Sequence, residues 1–122
     1  MTSLMRNVFA PHLDFTDLYG LLGNIVPSNL DMVIERKGHF LFAEWKRDGE
    51  RLSQGQEILL KQLAKVSNHT VLIVHGHTDN GYMNVYKFWK ISKGGGLAVK
   101  GNNVEDFKDY ILNWFLDAEY NL

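Results

Sequence analysis

Hydrophobic and polar positions in the first third of the chain follow first a helical and then an extended period. Residues 14–22 carry apolar side chains three and four positions apart, a spacing that predicts a short amphipathic helix. Residues 30–35 and 39–46 predict two strands, and residues 36–38 between them predict a hairpin turn. This part of the chain is therefore expected to supply a helix and an antiparallel strand pair.

The middle of the chain predicts a crossover unit. Ser53 is followed three residues later by Gln56, the spacing of a capping box, and the apolar positions beyond predict a helix over about 53–66. Residues 70–75 are strongly apolar and predict a strand that ends at a glycine. With the strand over 39–46 they form a β-α-β unit, which implies a right-handed crossover between parallel strands.

The last third of the chain predicts further strands and a closing helix. Residues 82–91 form an aromatic-rich strand, whose rings are better explained by a core or dimer interface than by base stacking. Three glycines at 94–96 predict a loop, residues 97–100 a short strand, and Asn103 the cap of a final amphipathic helix. The expected fold is α/β, a mixed sheet of four or five strands flanked by helices.

Composition narrows the function classes. The 122 residues, 45% hydrophobic, predict a single domain over 1–122, and the lack of cysteine excludes disulfides, thiolate zinc sites and a cysteine nucleophile. The N-terminal residues lack a long apolar run, so no signal peptide or membrane span is expected and a cytoplasmic location is predicted. A formal net charge of −1 argues against nucleic-acid binding by bulk positive charge. It leaves open a small basic groove, or positive charge from a bound metal.

Candidate chemistry is concentrated where the second strand ends. Glu44 and Lys46 are two residues apart and share a face of the strand, while Trp45 points the other way. A hairpin turning at 36–38 pairs position 31 with 43 or 44, so Asp31 is expected beside Glu44. Two neighbouring carboxylates repel each other, and a divalent cation such as Mg²⁺ or Mn²⁺ relieves that repulsion. The simpler alternative is a cross-strand ion pair without catalytic meaning.

Three short segments together resemble the PD-(D/E)XK nuclease superfamily, and most closely its VRR-NUC branch of the Holliday-junction-resolvase type. These segments are Asn29-Leu30-Asp31, Phe42-Ala43-Glu44-Trp45-Lys46 and Leu52-Ser53-Gln54-Gly55-Gln56. In that branch a Leu-Ser-x-x-Gln helix start follows Glu-x-Lys. The resemblance covers about residues 28–75 and implies a restriction-endonuclease-like core.

The resemblance also implies a role for each motif residue. Asp31 and Glu44 would be metal ligands, with the main-chain carbonyl of Trp45 as a third. Lys46 would be the catalytic lysine, and Gln56 an auxiliary residue of the active site. The cofactor implied is Mg²⁺, with Mn²⁺ as a substitute.

The chain departs from the family pattern in two respects. Leu30 stands where the family usually has a proline before the aspartate. Many members also carry an acidic residue on the first helix. Asp14 or Asp17 could serve, and the sequence does not choose between them, but each is better explained as an inert helix cap or solvated side chain.

The function that the resemblance implies is Mg²⁺-dependent hydrolysis of DNA phosphodiesters, leaving 5′-phosphates. A small domain without a recognition module is expected to read DNA shape, such as branches or junctions, and a homodimer would present two symmetric sites. A phage or mobile-element origin is consistent with this. The alternative is a catalytically silent nuclease-fold protein that binds DNA or a host protein, and a third interpretation is an α/β domain with a chance motif.

Two other segments carry weaker signals. His75 and His77, with Asp79 nearby, have side chains that favour metals but lack a third ligand at zinc-like spacing. A strand-end loop or a substrate contact explains them better. The lysine-rich segment ending in the glycines at 94–96 lacks the pattern of a phosphate-binding P-loop, and a mobile hairpin loop is the better interpretation.

Overall fold

The computed structural model describes residues 15–25 and 27–121, which form one five-stranded mixed sheet with two helices packed against it. The strands are β1 (Met32–Arg36), β2 (His39–Lys46), β3 (His69–Asp79), β4 (Tyr82–Ile91) and β5 (Leu97–Gly101), and the helices are α1 (Gln54–Ala64) and α2 (Val104–Tyr120). The strands lie side by side in chain order, with β2 and β3 parallel and all other neighbours antiparallel. The predicted α/β class is confirmed. In this described part of the chain, neither helix is long and apolar enough to cross a membrane.

The β1–β2 hairpin sets the register that the candidate site depends on. Its turn uses Lys37 and Gly38, both at positive φ (51° and 81°), a conformation that suits a tight two-residue connection. Met32 pairs with Ala43, so extending the register by one residue places Asp31 beside Glu44. The turn is held to the end of α2 by Arg36, whose guanidinium forms a two-pronged ion pair with Glu119.

Helix α1 begins where the sequence predicted. The Ser53 hydroxyl accepts a hydrogen bond from the Gln56 amide at 3.1 Å, and the Gln56 side-chain oxygen accepts one from the Ser53 amide at 3.0 Å. This reciprocal pair satisfies two backbone donors that a helix start otherwise leaves without partners. The β2–α1–β3 connection joins parallel strands, as expected.

The two faces of the sheet each have their own core. The face covered by α2, here called the α2 face, has a fully buried cluster. Its members are Leu41, Ala43, Leu72, Val74, Val85, Phe88 and Phe107. The opposite face, the α1 face, has a second cluster formed by Phe42, Leu60, Ala64, Val71, Ile73 and Ile91. Side chains of adjacent residues in β2 and in β3 thus pack into the cores on opposite faces, as the alternation of side chains along a strand requires.

The helix predicted over 14–22 is wrong. Within the described residues there is only a single 3₁₀ turn, Thr16–Leu18, followed by an exposed segment. Gly20 and Gly23 adopt positive φ (80° and 71°) and pair with each other, which a right-handed helix does not accommodate. Asp14 lies outside the described residues.

The prediction that β3 ends at Gly76 is also wrong. The strand continues to Asp79, and its register against β4 shifts between His75 and Gly76. A side chain at Gly76 would collide with the main-chain oxygen of Asn84, so the glycine permits a close backbone approach at this irregularity. The consequence is that β3 and β4 form a long two-stranded extension beyond the ends of the other strands.

Candidate active site

The two candidate carboxylates lie at the junction of β1 and β2, and they differ in exposure. Glu44 is 4% exposed and is the one charged residue among the buried residues that the structure describes. Asp31 is exposed, and its Oδ2 accepts a hydrogen bond from the main-chain amide of Trp45 at 2.8 Å. That bond fastens the residue before β1 to the end of β2, which fixes the aspartate next to the buried glutamate.

Lys46 and Gln56 reach the same glutamate oxygen. The Gln56 side-chain amide donates to Glu44 Oε2 at 2.8 Å, and Lys46 Nζ lies 3.8 Å from that oxygen. The glutamine comes from the first turn of α1, where its carbonyl oxygen closes the capping box while its amide nitrogen faces the site. The structure therefore brings together all four side chains that the motif singled out.

The environment of Glu44 opposes its negative charge. Burial and the neighbouring Asp31 charge together raise the pKa of Glu44 to about 7, even though the Lys46 ammonium lowers it. A carboxyl group in this position is partly protonated near neutral pH. A bound cation would replace that proton, since it would compensate both carboxylates at once.

The donor set fits a hard divalent cation. Asp31 and Glu44 offer carboxylate oxygens, the ligands that Mg²⁺ and Mn²⁺ prefer, and Mg²⁺ commonly needs only one or two protein carboxylates because it keeps several waters. Among residues 15–25 and 27–121, no three or more His, Asp or Glu side chains converge on one point, so Asp17 does not complete a third ligand. The Trp45 carbonyl remains the predicted third donor. The indole of Trp45 packs edge-on against Phe107 on the α2 face, with ring centroids 5.4 Å apart.

Two cavities flank this cluster. The larger, about 590 Å³, opens beside Lys46 on the α1 face, and we call it the α1 groove. Its lining includes Lys46, Arg51, Lys61, Ile73, His75 and Trp89. The smaller, about 420 Å³, lies beside Asp31 and includes Trp45, His77 and Met83. The four-residue cluster thus stands between two openings to solvent.

His75 and His77 do not form a joint site. His75 lines the α1 groove and contacts the Trp89 ring edge-on at 5.1 Å between centroids. His77 lines the smaller cavity and has Asn84 and Tyr86 as its polar neighbours. The irregularity at Gly76 separates them, so the paired-histidine metal site is not formed.

Sequence reasoning missed the groove residues contributed by distant strands. Trp89 belongs to the aromatic strand over 82–91, for which the sequence favours a core or dimer interface over base stacking, and no sequence pattern singles out Arg51. One signal was available, because aligning β2 with β3 as parallel neighbours places His75 directly beside Lys46. No comparable local pattern connects Trp89 of β4 with the motif of β2.

Comparison of this chain with protein-family models, with curated proteins and with solved structures found no match. The likeness to the PD-(D/E)XK nucleases therefore stays a prediction from the motif residues.

Proposed function

We propose that this protein is a metal-dependent DNA nuclease of the PD-(D/E)XK type. One observation carries the proposal: the buried Glu44 carboxylate is held by the Gln56 amide and faced by both Lys46 and a second carboxylate. Groups at these positions are the four that the motif resemblance assigns to catalysis. Of these four, Lys46 lines the α1 groove, which has a volume of about 590 Å³, and Asp31 lines the smaller cavity.

An ordinary surface ion pair explains this arrangement poorly. Glu44 is almost completely removed from solvent, where an ionised carboxylate is costly unless it is compensated. Lys46 alone compensates it incompletely, since its Nζ lies at 3.8 Å and the pKa remains raised. A fold that needed only stability would gain by an apolar residue here, so the retained charge favours a chemical role.

Each residue then has a defined task. Asp31 and Glu44, with the Trp45 carbonyl, would hold Mg²⁺ or Mn²⁺. Such a cation would supply positive charge to polarise the phosphodiester and to acidify a water. Lys46 offers a positive charge and a hydrogen-bond donor to the phosphate, whose charge rises in the transition state. Gln56 fixes the orientation of the glutamate, and the Trp45 amide fixes that of the aspartate.

The substrate class is proposed from the charge balance and the size of the chain. A net charge of −1 argues against binding a long duplex by bulk positive charge, and recognition by DNA shape at a flap or junction suits this small domain better than sequence reading. A homodimer acting on two strands remains part of the proposal. The rival is a silent nuclease-fold protein that binds DNA or a host protein.

The decisive experiment is cleavage of labelled linear, single-stranded, flapped and four-way-junction DNA, with Mg²⁺, with Mn²⁺ and with EDTA. We expect metal-dependent cutting by the wild type and a loss of about 100-fold or more for Glu44→Ala and Lys46→Ala, the size typical of removing an electrostatic catalytic group. Asp109→Ala, which removes an exposed carboxylate on α2, serves as the matched control and should cut normally.

Circular dichroism of each variant separates lost chemistry from lost folding. Failure of the folded wild type to cut any of these substrates with either metal would contradict the nuclease proposal and favour the silent binding protein. Cutting that survives in both folded variants would contradict the assignment of the site.

A further inference from the structure

We propose that the α1 groove holds an unpaired nucleotide of the substrate strand, with its base against Trp89 and its phosphates toward Lys46 and Arg51. The proposal rests on the nuclease function and names its substrate class: DNA with a single-stranded segment next to the scissile phosphate. It comes from the groove residues, which lie outside the four-residue motif.

The inner part of the α1 groove is apolar and aromatic. Its buried and half-buried side chains are Leu52, Ile73, Trp89 and Ile91, and the exposed Leu97 borders them. Trp89 is half-buried; the His75 imidazole contacts its ring edge-on, and Lys87 Nζ lies over the ring, 5.5 Å from the centroid. A partly desolvated aromatic ring with a cation close to it suits a nucleotide, which offers a π-face to the ring and a phosphate to the cation.

The rim of the groove carries the complementary charge. Among the described residues, Arg51 has no carboxylate within ion-pairing distance, so its guanidinium is available to a phosphate. Of the two acidic residues at the rim, Glu57 pairs with Lys61 at 2.9 Å. The other, Glu50, accepts a hydrogen bond from the Arg47 amide at 2.6 Å. The groove lining therefore carries three cations, Lys46, Arg51 and Lys61, against the two carboxylates of Glu50 and Glu57, and this excess of positive charge favours a phosphodiester.

The groove is continuous with the proposed catalytic cluster. Lys46 lines it, and His75 is the neighbour of Lys46 across the parallel β2–β3 pairing. A strand entering the groove would place a phosphate at Lys46 while its base lies over the apolar inner surface. The volume of about 590 Å³ falls in the range of sites that enclose small ligands.

An unpaired base fits this arrangement better than a base pair. In a duplex both faces of each base are covered by stacked neighbours, so an indole gains access only after a base leaves the stack. Bases of a single strand or a flap are already exposed, so binding them avoids most of the free energy needed to unstack a base from a duplex. The groove therefore favours strands with unpaired nucleotides.

Binding without cutting tests the inference. Fluorescence anisotropy with a fluorescein-labelled oligothymidylate and with a duplex of equal length, both in EDTA, compares the wild type with Trp89→Ala, Trp89→Phe and Arg51→Ala. We expect tighter binding of the single strand, about tenfold weaker binding for Trp89→Ala, and partial recovery for Trp89→Phe, because base stacking on an aromatic ring is of this size. Tyr82→Ala, which removes an exposed aromatic of the same strand outside the groove, should bind as the wild type does.

The outcomes separate this inference from the nuclease proposal. Equal or tighter binding of the duplex, or single-strand binding unchanged in Arg51→Ala and in folded Trp89→Ala, overturns the groove assignment even if metal-dependent cutting is found. Single-strand binding that depends on Trp89 and Arg51, without cutting under any metal, supports the groove as a strand-binding site and overturns the nuclease. Displacement of the oligonucleotide by equimolar thymidine monophosphate would overturn the strand assignment in favour of a free nucleotide.

Discussion

The two faces of the sheet are formed by the same strands but differ in what their side chains do. On the α2 face the seventeen-residue helix Val104–Tyr120 covers Ala43, Val74 and their neighbours with an entirely apolar cluster. On the α1 face the eleven-residue helix Gln54–Ala64 is shorter, and the carboxyl ends of β2 and β3 line an open groove. At that open end the alternating residues are Glu44, Lys46 and His75.

The difference shows that residues that stabilise the core and residues of the candidate site alternate along a single strand. Moving one residue along β2, from Ala43 to Glu44 or from Glu44 to Trp45, changes a core position into a site position or back. Substitutions on the two faces should therefore separate loss of folding from loss of activity.

Phe107→Ala should produce the largest loss. Phe107 is 1% exposed and contacts Trp45 and Phe88 edge-on, at 5.4 and 5.3 Å between centroids. Removing a buried aromatic ring costs about 3–5 kcal/mol, measured by urea denaturation. At a temperature where the variant remains folded, cutting should stay within a few-fold of wild type. A loss of activity in the folded variant as large as that of Lys46→Ala would contradict the view that the α2 face serves stability and not catalysis.

Two substitutions of Gln56 should divide its structural role from its role in the site. Gln56→Ala removes both the cap acceptor and the donor to Glu44, and should cost about 1–2 kcal/mol in unfolding free energy. Gln56→Glu keeps an oxygen acceptor for the Ser53 amide but removes the donor and adds a third carboxylate. We expect the Glu variant to unfold near the wild-type urea midpoint at pH 5, while both variants lose cutting activity. Full activity in Gln56→Glu would mean that the amide donor is unimportant.

Glu44→Gln should have the smallest effect on stability, and the effect should depend on pH. Burial and the neighbouring Asp31 charge raise the pKa of Glu44 from an ordinary 4.5 to about 7, so its protonated form favours the folded state. That contribution is complete below the unfolded pKa and is lost as pH rises through about 7. All other titrating groups are common to both proteins. The unfolding free energy of the Gln variant relative to wild type, in EDTA, should therefore rise from pH 5 to pH 8. A flat difference would contradict the raised pKa.

The parts of this molecule that the sequence predicts correctly depend on local spacing. The capping box at Ser53 and the hairpin turn at Lys37 and Gly38 are set by residues within four positions of each other, and both are confirmed. The proximity of Asp31 to Glu44 follows from the hairpin register alone. The helix over 14–22 failed because two glycines with positive φ outweigh an apolar period.

The groove could not be predicted because it depends on sheet order. Trp89 reaches the neighbourhood of Lys46 only because β3 lies between β2 and β4, and a one-strand change in order would move it away. The continuation of β3 past Gly76 likewise depends on its partner strand, since the glycine accommodates the Asn84 carbonyl. Contacts between distant segments carry no periodic signal in the chain.

The double duty of Gln56 has a consequence for motion. Helix ends fray more readily than helix centres, and each opening of the first turn of α1 breaks the bonds between Ser53 and Gln56. Because the same side chain donates to Glu44, an opening that displaces the Gln56 side chain also removes this hydrogen bond from the glutamate. The lifetime of the assembled site is thus linked to that of the first turn of α1. Amide hydrogen exchange at Gln56 measures how often that turn opens.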